Sequence, residues 1–111
     1  MKKLVLLSTV VTLFVFALVT GCSRHDDHYY VYDDITFWNN QSSIGNITVT
    51  VDGTYTQYIT ATQRAYNCNT PGSANFYIEE GDHTYSAYST TGQTWHGSFY
   101  LNSSCLLFEL Y

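Results

Sequence analysis

From Asp34 onward apolar and polar residues alternate one by one, and no useful stretch carries the spacing of an amphipathic helix. A period of two places successive side chains on opposite faces of an extended strand. The chain can therefore bury its apolar residues only by building sheets. Seven β-branched and aromatic runs show the pattern most clearly: Ile35–Trp38, Asn46–Val51, Thr56–Thr62, Asn75–Glu79, Thr84–Ser89, Thr94–Leu101 and Leu106–Tyr111. Asp52-Gly53, Glu80-Gly81-Asp82, Thr91-Gly92 and Asn102-Ser103-Ser104 fall between runs. Such residues tolerate positive φ or bond their own backbone, so hairpins and antiparallel neighbours are expected there.

Short strands at this spacing suggest a sandwich or an open barrel. We expect an all-β fold, a single antiparallel β-sandwich of about seven strands over residues 34–111. The parity of the runs assigns Ile35, Phe37, Ile47, Val49, Val51, Phe76, Ile78, Tyr85, Ala87, Trp95, Phe99, Leu101, Leu106, Phe108 and Leu110 to the inward side. Thr48, Thr50, Asn75, Tyr77, Ser86, Thr94, Ser98 and Tyr100 face the other way. The longest interruption, Gln63 to Ser73, holds Cys68, the sole proline Pro71 and Gly72. It is expected to be a loop, serving either as a distinctive surface or simply as a stabilising element.

The amino terminus has a different composition. Lys2 and Lys3 precede an apolar run from Leu4 to Thr20, which ends in Val19-Thr20-Gly21-Cys22. A charged start, an apolar stretch and small residues before a cut describe a secretory signal, whereas a spanning helix needs about 20 apolar residues and no processing site. The segment resembles the lipobox of bacterial lipoproteins, with Cys22 as the acceptor cysteine. That resemblance implies a signal peptide over 1–21, cleavage before Cys22, diacylglycerol on its sulfur and acylation of its new amino group. Several acyl chains, each stabilised by about 0.8 kcal/mol per buried CH₂, would hold the protein on a membrane.

Residues 22–33 are then a lipid-anchored tether, whose polar start, Ser23-Arg24-His25-Asp26-Asp27-His28, has nothing to bury. Acidic residues soon after the acylated cysteine also resemble the surface-export signals of Bacteroidetes-type lipoproteins, though Arg24 and two histidines interrupt the run here. The expected location is the cell envelope, with the outer membrane favoured and the domain facing either the periplasm or the surface. Tyr29, Tyr30 and Tyr32 close the tether and have two readings, docking as a short edge strand or contact with the membrane interface.

Removing residues 1–21 takes away both lysines and leaves nine acidic side chains against Arg24 and Arg64, a net charge of −7. Such a chain lacks the basic footprint of a nucleic-acid binder. It also leaves Cys68 and Cys105 as the only unmodified thiols in an exported chain, where disulfides persist. A Cys68–Cys105 bridge is expected, two free buried cysteines being the alternative.

Little points to catalysis. A bridged Cys68 offers no nucleophile, no Gly-x-Ser-x-Gly elbow is present, and Glu79 and Glu80, as strand neighbours, cannot flank one glycosidic bond. No catalytic residue, cofactor or metal site is expected. His25-Asp26-Asp27-His28 has ligand-type side chains, but in a flexible segment without a second shell, and His83 and His96 lack partners at ligand spacing.

Thr48-Val49-Thr50-Val51-Asp52-Gly53, the later Ile78-Glu79-Glu80-Gly81-Asp82-His83-Thr84-Tyr85 and Gly92 before another strand resemble the PEGA-type and transthyretin-like modules of bacterial envelope proteins. The resemblance covers about half the mature chain, lacks the Pro-Glu-Gly-Ala string itself, and adds the cysteine-bearing loop. It implies an Ig-like or transthyretin-like sandwich acting as a non-catalytic spacer or interaction domain. A structural or protein-interaction role in the envelope is therefore the first expectation. The rival is glycan binding, because 11 tyrosines and two tryptophans exceed what so small a core absorbs. Tyr58, Tyr77, Tyr88 and Tyr100 are out of phase with the inward positions and are the candidate ligand-binding rings, cross-strand pairing being their alternative role.

Overall fold

In the computed structural model, which describes residues 29–111, the described residues form seven strands and no helix. The proposed signal peptide, the acceptor Cys22 and the His25–His28 cluster lie outside the described residues. The strands are β1 (Tyr32–Trp38), β2 (Ile47–Val51), β3 (Tyr55–Ile59), β4 (Ala74–Glu79), β5 (Gly81–Ser89), β6 (Thr94–Leu101) and β7 (Cys105–Glu109). They make a sandwich of a three-stranded sheet, in the order β4-β1-β7, and a four-stranded sheet, in the order β3-β2-β5-β6.

The core is the set of residues that alternation places inward. Ile35 and Phe37 from β1, Val49 and Val51 from β2, Phe76 and Ile78 from β4, and Ala87, Phe99 and Leu101 from the other sheet are all buried. Tyr85, Trp95, Leu106 and Phe108 pack against them half-buried, and Ile44, Ile59 and Ala74 join the cluster. Phe37 stands at the centre, its ring 5.7 Å from Phe76, 5.4 Å from Tyr85, 5.9 Å from Phe99 and 5.2 Å from Phe108. Those separations fall in the range of favourable tilted and edge-to-face ring pairs.

Two of the four expected hairpins are present. Asp52 and Gly53, at φ of 54° and 66°, turn β2 into β3, and the Thr54 N–H bonds the Val51 carbonyl at 3.0 Å. Positive φ at both central residues suits an Asp-Gly turn matched to the twist of the strands. Gly92, at φ 95°, serves the β5–β6 turn.

The other two expected hairpins are corrected. Glu80 joins β4 to β5, and Asn102-Ser103-Ser104 joins β6 to β7, but in each case the chain changes sheet instead of pairing with its neighbour. β7 instead adds to β1 in parallel, Asp34 opposite Cys105 and Trp38 opposite Glu109. Local turn chemistry specifies that the chain bends there, not which sheet receives it.

The first strand starts before the expected Ile35. β1 begins at Tyr32, Asp33 is buried, and both pair with β4 opposite Glu79 and Ile78. Tyr32 thus enters the central strand of its sheet, while Tyr29 and Tyr30 remain exposed. β3 ends at Ile59, short of the expected Thr62, because the N–H groups of Thr60 and Ala61 both bond the Gly72 carbonyl.

The loop between β3 and β4 covers the outer face of the three-stranded sheet. Thr36 shares the outward parity of Tyr32 and Asp34 yet has no exposed surface, because the loop lies over it. The Asn69 N–H donates to Thr36 Oγ1 at 2.9 Å, Thr36 Oγ1 donates to Asn75 Oδ1 at 2.7 Å, and Asn75 Nδ2 donates to the Thr70 carbonyl at 3.1 Å. Further along, the Arg64 guanidinium sits 6.0 Å from the Trp38 ring centroid and 5.1 Å from that of Tyr66. The expected disulfide between Cys68 and Cys105 staples this loop to β7.

Candidate functional site

With one outer face covered, the outer face of the four-stranded sheet is the broad open surface of the described domain. Its strands are in register, so its side chains form rows. One row reads Tyr58, Thr48, Tyr88, Thr94 across β3, β2, β5 and β6, and the next reads Thr56, Thr50, Ser86, His96. Nearly all of these groups are neutral hydroxyls or rings. Tyr58 and Tyr88 flank Thr48, two strand spacings or about 10 Å apart at the backbone, and both are well exposed.

The four tyrosines singled out from the sequence are not one cluster. Tyr100 shares the open face but pairs with Asp82, about 20 Å along β6 from the Tyr88 row. Tyr77 projects from the opposite sheet, its ring 5.6 Å from Tyr32.

A second site lies where the β2–β3 turn and the start of β5 meet the end of β4. Here Tyr32, Asp52, Tyr55, Tyr77, Ile78, Glu79 and His83 line a cleft of about 180 Å³. Tyr55 pairs with the inward-facing Val51 at the sheet's edge and so closes the cleft from the β3 side. Tyr32 donates to Glu79 Oε1 at 3.3 Å across the β1–β4 pair. That carboxylate's charge, with some burial and the hydrogen bond itself, raises the Tyr32 hydroxyl above its usual pKa of 10.

His83 braces the cleft wall. Its Nδ1 is 2.5 Å from Asp52 Oδ2, its Nε2 is 2.6 Å from the Glu79 carbonyl oxygen, and its ring stacks on Phe99 at 5.4 Å. Asp52 also accepts the Thr84 N–H through Oδ1 at 3.0 Å. An imidazolium satisfies both acceptors at once, and its ring nitrogens then hold no lone pair for proton abstraction. Burial pulls the His83 pKa down, but the bonds to Asp52 and to the Glu79 carbonyl, with the charges of both acids, raise it above 6.5. Burial lifts Asp52, but the His83 and Thr84 bonds and the His83 charge take it below 3.8.

These opposite shifts give a pH signature. A raised histidine stabilises the fold fully below its unfolded pKa of about 6.5 and loses that contribution as pH rises through the folded value. A lowered aspartate stabilises fully above about 3.8 and loses its contribution as pH falls through the folded value. Thermal midpoints should therefore fall on both sides of a window near pH 4 to 6.5. The fall just above that window, in the histidine range, should be absent in His83→Gln, whereas the loss from the raised Tyr32 and Tyr85 hydroxyls above pH 10 should remain. Glu80, held above 4.5 by the neighbouring Asp33 carboxyl, adds a separate loss as pH rises through the carboxylate range, and the variant should keep it. A fall of equal size in the histidine range in both proteins would show that the pair does not contribute.

Sequence reasoning passed over Tyr32, Tyr55, Asp52 and His83 as a group, because they are brought together from three strands and a turn. One signal was present: His83 has the inward parity of Tyr85 and Ala87, an unusual place for an imidazole without a partner. Cys22 lies outside the described residues, and Cys68 and Cys105 are joined on the opposite face of the sandwich from the open sheet. No protein-family model, no curated protein and no solved structure matches this chain.

Proposed function

We propose that this chain is a lipid-anchored protein of the cell envelope, held to a membrane through Cys22, with a structural or protein-interaction role and no catalytic one. The supporting observation is the contrast between the two sheets. A disulfide-stapled loop covers one outer face, while the other is left bare, nearly uncharged and dotted with exposed rings. Tyrosines that bury an apolar body and keep a polar tip suit such a contact surface. The acidity of the whole chain supports a partner other than nucleic acid or an anionic lipid headgroup.

One observation favours a second reading, extracellular glycan binding. Tyr58 and Tyr88 stand in register on either side of Thr48, so two rings and a hydroxyl could lie along an extended neutral sugar chain.

A single experiment in two arms tests both. A photo-crosslinking residue at Ser86 in intact cells should give discrete crosslinked protein, and the same residue at exposed Tyr66 on the covering loop should not. Equal products from both positions, or none from Ser86, would remove the protein-contact reading. The purified lipid-free domain is meanwhile screened on a glycan array. Binding lost in both Tyr58→Ala and Tyr88→Ala would replace the first reading with the second.

A further inference from the structure

We propose that the cleft between the β2–β3 turn and the end of β4 binds a small organic ammonium cation, of the trimethylammonium type, independently of the open sheet face. Size comes first. At about 180 Å³ it falls well below the roughly 300–1,000 Å³ of pockets that enclose drug-sized ligands. It has room for a head group, not for a nucleotide or a large cofactor.

The lining then selects charge. Three phenol rings, Tyr32, Tyr55 and Tyr77, border the cleft, and each keeps a large part of its surface exposed. Ring faces carry negative quadrupolar potential and attract cations, most of all those too weakly hydrated to resist leaving water. Glu79 supplies a full negative charge beside them, and its side chain's one partner among the described residues is the neutral Tyr32 hydroxyl. Asp52 faces away from the ligand position in a direct pair with His83, whose charge, when it is protonated, offsets that of Asp52. With His83 charged or neutral the cleft stays net negative, and Glu79 is the carboxylate not paired with the histidine.

Among the described residues no cationic side chain competes for this position. Arg64 is the only Lys or Arg among the described residues, and it stacks on Trp38 and Tyr66. The surrounding charge favours a cationic ligand, since Asp33, Asp34, Glu80 and Asp82 all lie on the strands or connection next to the cleft. An anion would meet Glu79 head-on. A neutral sugar would leave that carboxylate poorly matched, and a metal ion would lack ligands, because no group of three metal-binding side chains occurs among the described residues. The inferred ligand class is thus a soft organic cation with a methyl-covered surface, its methyls against the rings and Ile78 and its charge toward Glu79.

The test is a titration of the lipid-free domain with tetramethylammonium chloride and with choline, followed by backbone amide shifts. Sodium chloride at matched ionic strength is the control. Saturable shifts should be centred on residues 52–55, 77–79 and 83, and sodium should not reproduce them. Tyr55→Ala and Tyr77→Ala should each weaken binding about threefold to fivefold, the loss expected for one exposed cation–π contact. Glu79→Gln, which removes the charge and keeps an acceptor for Tyr32, should weaken it. Tyr88→Ala, on the open sheet face, should leave it untouched, so the outcome is distinct from that of either crosslinking or glycan binding. Shifts that sodium reproduces, or full affinity in Tyr77→Ala and Glu79→Gln, would overturn the assignment.

Discussion

Replacing both Cys68 and Cys105 with serine should lower the unfolding free energy by about 4 kcal/mol, the chain-entropy value for a closed loop of about 37 residues. Single domains have only about 5–15 kcal/mol in total, so the bridge carries a third or more of what a domain this small holds. The thermal midpoint should fall by roughly 20 °C. The structure adds a reason for a large effect, since the bridge also pins the cover over Thr36 and Trp38. Loosening the loop gives water access to Thr36 Oγ1 and Asn75, whose bonds otherwise depend on the loop backbone. Urea unfolding of the oxidised protein, the reduced protein and the double serine variant measures the difference. The denaturant slope should rise when the bridge is removed, because the unfolded chain can then expand further. Superimposable curves would mean that the covering loop holds itself down.

Phe37→Ala should cost about 3–5 kcal/mol, the range for emptying a fully buried aromatic position. Phe37 has no exposed surface and touches rings from both sheets, Phe76 and Phe108 on its own side and Tyr85 and Phe99 on the other. Four rings held by their own strands cannot collapse into the space, so the lost transfer energy is joined by a cavity term. Tyr100→Ala is the matched control, an aromatic truncation on the exposed face that should change stability by no more than about 0.5 kcal/mol. Chemical denaturation of the two variants beside the wild type reads both values. A loss below about 1 kcal/mol at Phe37 would contradict a core organised around that ring.

Much of this fold was legible because side-chain parity is a local property. Each of the fifteen residues assigned inward by alternation is in the core or packed against it. The misses are equally physical. Ile44 and Ile59 join the core from outside the inward set: the first precedes its strand, and the second lies in the run Thr56–Thr62, whose other residues, apart from Tyr58 and Ala61, are polar and give no apolar alternation. Thr36 has outward parity, and only the returning loop removes it from water. The disulfide was legible by count, since a lipidated Cys22 would leave two thiols. What it does was not, because covering a sheet face requires knowing where that face lies.

For the candidate sites the divide follows the same line. Exposure of Tyr58, Tyr77, Tyr88 and Tyr100 could be read from phase, and all four rings are exposed. Their grouping could not, because which strand lies beside which is settled by long-range pairing. Tyr58 and Tyr88 meet across Thr48 only because β2 lies between β3 and β5, and Tyr77 is separated from them because β4 joins the other sheet. The cleft likewise depends on chain reversals at Asp52-Gly53 and at Glu80 that carry Tyr55 and His83 to the same end as Tyr32 and Glu79.

The sequence by itself therefore determined a small all-β domain with an inward set of apolar residues, turn positions at Asp-Gly and Thr-Gly, and a thiol pair able to close a loop. Only the tertiary structure decided that the chain changes sheets at Glu80, that β7 runs parallel to β1, and that one sheet face is covered while the other stays open. The reason is the range of the forces involved. Alternation and turn chemistry act between neighbours a few residues apart, whereas strand partners are chosen by how the whole apolar surface is best removed from water.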